Sequence, residues 1–167
     1  MPGLSPPLLT ILGLAGVAYA QEPRPVESFE ADAVAAGWSA ETGELQVSTD
    51  RYKSGARSLC WTWRASGACL TFRDAQAFTG IKAPKDKAPG SALCLWLYSA
   101  SKSSARLLVD LLSGDEVLGT AWVLLSYAGW RPVGIPYAAV LPSPDAAVDA
   151  VRLRAPAALP EGRLFLD

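Results

Sequence analysis

The sequence is 167 residues long, carries 15 basic against 16 acidic side chains, and contains no histidine. Charge balance of this kind argues against a nucleic-acid or membrane-surface protein, which shows a basic excess. The missing histidine removes Ser-His-Asp triads, Cys-His pairs and histidine-ligated zinc.

Residues 1–20 hold no charged side chain, run apolar from Leu8 to Ala20, and end in Ala18-Tyr19-Ala20 before Gln21. Small residues around such a boundary mark a cleavable signal peptide. The run is too short, and too broken by Gly13 and Gly16, for a membrane anchor. Residues 21–25 form a polar, proline-containing lead-in. The expected location is therefore secreted or periplasmic, with no membrane contact after the leader is removed.

Beyond the lead-in the chain reads as short strands. Val26 to Glu30 is the expected first strand, followed by a loop from Ala31 to Trp38. Leu45 to Thr49 alternates apolar and polar residues, the period-two pattern of a half-buried strand. After Lys53-Ser54-Gly55, where glycine accepts positive φ, comes Ser58 to Trp63. Leu59, Trp61 and Trp63 share one face of it. Two indoles on one strand face need a thick partner layer, which a second sheet supplies. Arg64 to Ala68 reads as a hairpin turn into Cys69-Leu70-Thr71-Phe72, and Thr79 to Ser91 as the longest loop.

In the strand Ala92 to Tyr98, Leu93, Leu95 and Leu97 oppose Cys94, Trp96 and Tyr98. Both faces are apolar, so the strand is covered on both sides or its aromatic face lines a groove. Ser113 to Glu116 is a hairpin signal between Arg106–Leu112 and Val117–Leu125. Trp130 to Ile135 is a strand ended by Pro136, which has no N–H to donate. Val148 to Arg154 alternates, and Arg163 to Asp167 opens a last strand. No stretch sustains helical periodicity, so the expected fold is one all-β domain over residues 26–167, an antiparallel β-sandwich of jelly-roll type.

Chemistry is sparse. The cysteines at 60, 69 and 94 make no C-x-x-C site and read as three buried, reduced structural thiols. The acidic pairs Glu41/Glu44, Asp115/Glu116 and Asp145/Asp149 lie in loops or at strand ends, without the apolar setting that would raise a pKa. They read as solvated surface charges, and no enzyme activity is expected of this chain alone. Saccharide binding needs exposed rings for the C–H faces of a sugar, with Arg or Lys for an anionic polymer. Trp96, Tyr98, Trp122 and Tyr127 are the aromatics not readily assigned to the core, and Arg106, Arg152 and Arg154 lie on the polar faces of strands. The alternative is that these rings are core after all. Gly129-Trp130-Arg131 reads as a structural corner, with Trp130 packed on a loop or partner domain and Arg131 bonded to a carboxylate or to carbonyls.

The pattern Ser48-x-x-Arg51-Tyr52-Lys53-x-Gly55-x-x-Ser58-Leu59-x-Trp61-x-Trp63 carries a resemblance. So do Ser28-Phe29-Glu30 before it, then Gly129-Trp130-Arg131-Pro132-Val133 with Pro136-Tyr137, and Leu164-Phe165-Leu166-Asp167. In this order they resemble the N-terminal, non-catalytic domain of chondroitin sulfate ABC lyase-type polysaccharide lyases. The resemblance implies a galactose-binding-domain-like jelly roll. Its role would be that of an exported accessory domain that helps bind chondroitin or dermatan sulfate without cleaving it. Cleavage would belong to a lyase catalytic domain, in cis or in trans, that this chain lacks. In the resembled domains the last strand continues past the aspartate, implying a domain cut at its C-terminal strand. A structural Ca2+ is also implied, held by Glu30 and Asp167 with carbonyls of the Tyr52, Lys53 and Gly55 turn. The alternative is that the two carboxylates pair with Arg51, Lys53 or Arg57. Other functional readings are a free-standing secreted carbohydrate-binding module and a purely structural interaction domain.

Overall fold

The computed structural model describes residues 28–79, 81 and 91–167; the leader, the lead-in, residues 26–27 and most of the 79–91 loop lie outside the described residues. Two five-stranded antiparallel sheets face each other. The strands are β1 (Trp38–Ala40), β2 (Glu44–Ser48), β3 (Ser58–Trp63), β4 (Cys69–Arg73) and β5 (Ala92–Ser99). Then follow β6 (Arg106–Ser113), β7 (Glu116–Leu124), β8 (Gly129–Pro136), the single helical turn α1 (Tyr137–Val140), β9 (Ala150–Arg154) and β10 (Gly162–Leu166). One sheet runs β1-β4-β9-β6-β7 and the other β2-β3-β10-β5-β8. Among the described residues no helix is long and apolar enough to cross a membrane.

Period two decides what fills the space between the sheets. Leu59, Trp61 and Trp63 of β3 are fully buried there, beside Leu164 and Leu166 of β10 and Leu97 of β5. From the other sheet come Leu70 and Phe72, Leu107, Val109 and Leu111, and Val151 and Leu153. The Trp61 and Trp63 rings lie 4.8 Å apart. Gly162 exists for Trp63: a Cβ at that position would strike the indole.

Four expectations change. Ser28–Glu30 is not a strand, because Phe29 takes φ +55, which no ladder accommodates, and drops its ring into the core 5.7 Å from Trp38. Among the described residues the first strand is instead β1, which starts at Trp38, the last residue of the expected loop. Arg64–Ala68 does not close a hairpin. It carries the chain from one sheet to the other, since β3 pairs with β2 and β10 while β4 pairs with β1 and β9. Finally, all three cysteines are free, but only Cys60 and Cys69 are buried; Cys94 is exposed on the outer face of β5. Burial raises the Cys60 and Cys69 thiol pKa values, keeping both thiols protonated.

The β6–β7 hairpin forms as expected, with Gly114 at φ +59 in its turn and a bulge between Leu111 and Leu112. The last strand in sequence is central in space: β10 lies between β3 and β5. That insertion positions the candidate site.

Candidate functional site

The inward residues of β5, Leu93, Leu95 and Leu97, pack on the core, so Cys94, Trp96 and Tyr98 face out. The register sets Tyr98 directly between Trp130 of β8 and Phe165 of β10. The Tyr98 ring meets the Trp130 ring at 5.5 Å and the Phe165 ring at 5.8 Å, both edge to face. Three rings from three strands thus form a row across the outer face, an arrangement favoured by the ring quadrupoles. Trp96 stands one rung along the same strand.

Cations border the row. The Arg51 guanidinium lies 5.6 Å from the Tyr98 ring centre, and Lys53 Nζ lies 4.8 Å from that of Trp96. An open groove of about 410 Å³ is lined by Asp50, Arg51, Tyr98, Ala100, Arg163 and Phe165. Two guanidiniums against one carboxylate leave it a cationic excess. Rings offer apolar faces for sugar C–H groups, and guanidiniums bind carboxylate or sulfate in two-pronged fashion.

The turn carrying Arg51 and Lys53 is tied down by the two carboxylates proposed for calcium. Asp167 Oδ2 accepts the Lys53 amide (2.7 Å) and the Ser54 amide (2.9 Å), and its Oδ1 accepts Ser54 Oγ (2.7 Å). The Ala56 amide donates to Glu30 Oε1 (3.1 Å) and Oε2 (3.2 Å). Gly55, at φ +61, leaves room for the Glu30 carboxylate, which any Cβ there would strike. Among the described residues neither carboxylate makes the ion pair with Arg51, Lys53 or Arg57 that was the alternative to calcium; Arg57 pairs with Asp32. Tyr52 is exposed on the same turn.

The remaining candidates lie elsewhere. Trp122 is exposed on β7, at the edge of the other sheet, with the Arg106 guanidinium 4.7 Å over its ring. Arg152 and Arg154 are on that sheet too, and both are committed to Asp110. Arg152 donates to Asp110 Oδ2 from Nε (3.1 Å) and Nη2 (3.0 Å), and Arg154 Nη2 donates to Oδ1 (2.9 Å). Thr120 Oγ1 adds a fourth bond at 2.7 Å. Tyr127 is half-buried against the core with its hydroxyl unpartnered among the described residues, and burial raises its pKa. Arg131 lies over the Tyr127 ring at 5.3 Å, where a carboxylate or carbonyl partner was expected. Of the acidic pairs, Asp149 accepts from Arg73 and from the Gly114 amide, a structural use.

Sequence reasoning therefore placed Trp96 and Tyr98 on the right strand face. It did not name Phe165, Arg51 or Arg163 as saccharide-site residues, and it read Trp130 as a structural corner and not as a sugar platform. The signal for Phe165 was its alternation with inward Leu164 and Leu166. Trp130 packs on Tyr98 of the neighbouring strand, where a loop or partner domain was expected.

A family model described as "Lyase, N terminal" matches residues 24–167. The chain belongs to this lyase N-terminal family. A chondroitin sulfate ABC exolyase of Bacteroides thetaiotaomicron is 26% identical over 146 residues, covering 84% of this chain and 14% of that protein. A chondroitin sulfate ABC endolyase of Proteus vulgaris is 23% identical over 151 residues, covering 74% of this chain and 15% of that protein. The lyase N-terminal domain thus spans about a seventh of the length of these relatives. In fold it is similar to a carbohydrate-binding module of the β-sandwich superfamily, with TM-score 0.55 and 17% identity, covering 83% of this chain and 58% of that one. It is likewise similar to the CBM22-1 xylan-binding domain from Paenibacillus barcinonensis, with TM-score 0.53 and 17% identity, covering 84% and 86% of the two chains.

Proposed function

We propose that this domain is the exported, carbohydrate-binding accessory part of a polysaccharide lyase-like system. It holds an anionic glycosaminoglycan of the chondroitin or dermatan sulfate type and leaves cleavage to a lyase catalytic domain in cis or in trans. The observation that carries this reading is the row Phe165–Tyr98–Trp130 on the outer sheet face, with Tyr98 and Trp130 partly exposed and Phe165 buried at its end, bordered by Arg51, Arg163 and Lys53. Membership of the lyase family supports the choice of polymer. Calorimetric titration with chondroitin sulfate oligosaccharides tests it. Tyr98→Ala and Trp130→Ala should each weaken binding about tenfold, equivalent to about 1.4 kcal/mol, and added salt should weaken it further. Unchanged affinity in both variants would move the site off this face. A folded domain that binds no polysaccharide would favour the structural interaction reading. Incubation with chondroitin should yield no unsaturated product absorbance.

A structural calcium belongs to the same proposal. Glu30 and Asp167 bring hard carboxylate oxygens from distant positions to one turn, a donor type that suits Ca2+. Their amide bonds leave lone pairs free, on Asp167 Oδ1 and on Glu30, and the Tyr52, Lys53 and Gly55 carbonyls are at hand on the same turn. Among the described residues no group of three or more acidic, cysteine or histidine side chains could hold a metal, so carbonyls and water would complete the shell. A cation bound only to the folded state stabilises by mass action, about 2.7 kcal/mol at one hundred times Kd. Chelator should then lower the melting temperature of the wild type but not of Glu30→Ala. An identical melt with and without chelator rules the site out.

A further inference from the structure

We infer that Asp167 is a positioning residue for the saccharide face, and that the turn it holds makes Lys53 a gate selecting acidic over neutral sugar units. This rests on the reading of that face as a polysaccharide site. Four links form a closed circuit. The Trp96 amide donates to the Asp167 carbonyl at 2.8 Å, and the Asp167 amide to the Trp96 carbonyl at 3.1 Å. The Asp167 carboxylate accepts the Lys53 amide at 2.7 Å, and the Lys53 ammonium returns over the Trp96 ring at 4.8 Å. One residue therefore fixes both the backbone of the ring and the backbone of the cation that covers it. Ser54 adds its amide and hydroxyl to the same carboxylate, Glu30 holds the Ala56 amide, and Ser58 Oγ donates to the Arg51 carbonyl. Positions 49–56 are all exposed, so no core packing fixes this turn and its shape depends on these bonds.

The chemical consequence follows from what a covered ring can do. A cation–π contact between a solvated ammonium and an indole is weak in water, yet it occupies a ring face that a neutral pyranose needs for stacking. A neutral sugar must displace the ammonium and gains nothing from it. An acidic sugar draws the ammonium onto its carboxylate or sulfate, and so uncovers the ring while forming an ion pair beside it. Discrimination requires that Lys53 leave from a point within reach of the bound sugar, and the Asp167 carboxylate sets that point.

The test compares the full chain with Asp167→Ala, Asp167→Asn and Lys53→Ala, in chelator throughout. Titrations use a chondroitin sulfate oligosaccharide and an uncharged xylo-oligosaccharide, and the Lys53 side-chain methylene shifts are read by NMR without ligand. Asp167→Ala should lose the upfield ring-current shift of Lys53 and weaken acidic-ligand binding about tenfold. Asp167→Asn keeps an acceptor oxygen for the two amides and should restore both. Lys53→Ala leaves the turn amides intact, and should bind the neutral ligand at least as well as the wild type while losing its preference for the acidic one. The inference is overturned by an unchanged shift and unchanged ligand ratio in Asp167→Ala, or by an unchanged ratio in Lys53→Ala. It is overturned equally if Asp167→Asn behaves like Asp167→Ala, because charge and not hydrogen-bond geometry would then matter. If the wild type binds neither ligand while the Lys53 shifts respond as stated, the reading of the face as a saccharide site fails and the positioning role of Asp167 stands.

Discussion

Trp61→Ala should cost about 3–5 kcal/mol of unfolding free energy, the range for truncating a buried Trp. Trp61 is fully buried. Its backbone lies between Leu45 of β2 and Leu164 of β10, and its ring packs on Trp63 at 4.8 Å. No neighbouring strand can slide inward to fill the hole, since β2 and β10 are held in register by ladders on both sides of β3. The indole N–H makes no hydrogen bond among the described residues, so the loss is one of packing and transfer alone. Against a typical total stability of about 5–15 kcal/mol, this one change removes a large share. Urea unfolding measures it: the midpoint should fall sharply while the slope, set by the surface exposed, stays constant. Trp130→Ala, which truncates a half-buried ring on the outer face, should cost much less. Equal losses in the two variants would mean that the assignment of inner and outer faces is wrong.

That contrast shows what period two reveals and what it leaves hidden. Alternation alone assigned Leu59, Trp61 and Trp63 to one face, and set Leu93, Leu95 and Leu97 against Trp96 and Tyr98. These are local facts, and each is recovered in the structure. Alternation carries no information about which strand lies next door. Arg64–Ala68 has the chemistry of a hairpin turn, but the same chemistry serves a crossing between sheets, and only the pairings of β3 and β4 distinguish the two. For the same reason the aromatic row was only half legible. Tyr98, Trp130 and Phe165 are far apart in the chain, and they meet because β10 inserts beside β5 while β8 closes the other side. Cys94 was misjudged because an apolar residue on an aromatic strand face looks like core. That face is instead the open one.

Lys53-Ser54-Gly55 was read correctly as a turn, though for an incomplete reason. Its glycine admits positive φ, as turn chemistry requires, but Gly55 is also where the Glu30 carboxylate packs. Beyond the metal implied for them, the carboxylates also accept backbone amides and, at Asp167, the Ser54 hydroxyl. A sequence does not show which amides a turn leaves unpaired. Arg51 and Lys53 then reach the rings of β5 from a turn held by the last residue of the neighbouring strand's ladder, a placement that only tertiary structure provides.

Asp110 is the second site where one substitution should act strongly. Its side chain is fully buried on the outer face of β6, covered by the two arginines of β9. Four hydrogen bonds reach it from Arg152, Arg154 and Thr120, and Arg154 Nε adds an ion-pair contact at 2.8 Å. Asp110→Ala leaves two guanidiniums facing each other with no anion between them, a loss of about 3 kcal/mol, at the low end for breaking a buried ion pair. The low end applies because Arg152 and Arg154 retain part of their surface in water. The dependence on pH identifies the cause. Burial pushes the Asp110 pKa up, but the bonds from Arg154, Thr120 and Arg152 outweigh it and hold the pKa below its ordinary value of 3.8. A carboxyl whose folded pKa is depressed stabilises the native state fully above its unfolded pKa, and the contribution fades as pH falls through the folded value. The stability difference between wild type and Asp110→Asn should therefore be level at neutral pH and shrink below about pH 4. Urea titrations at stepped pH give that difference directly. A gap that persists unchanged into strong acid would mean that shape, and not the charge of Asp110, holds β9 and β7 to β6.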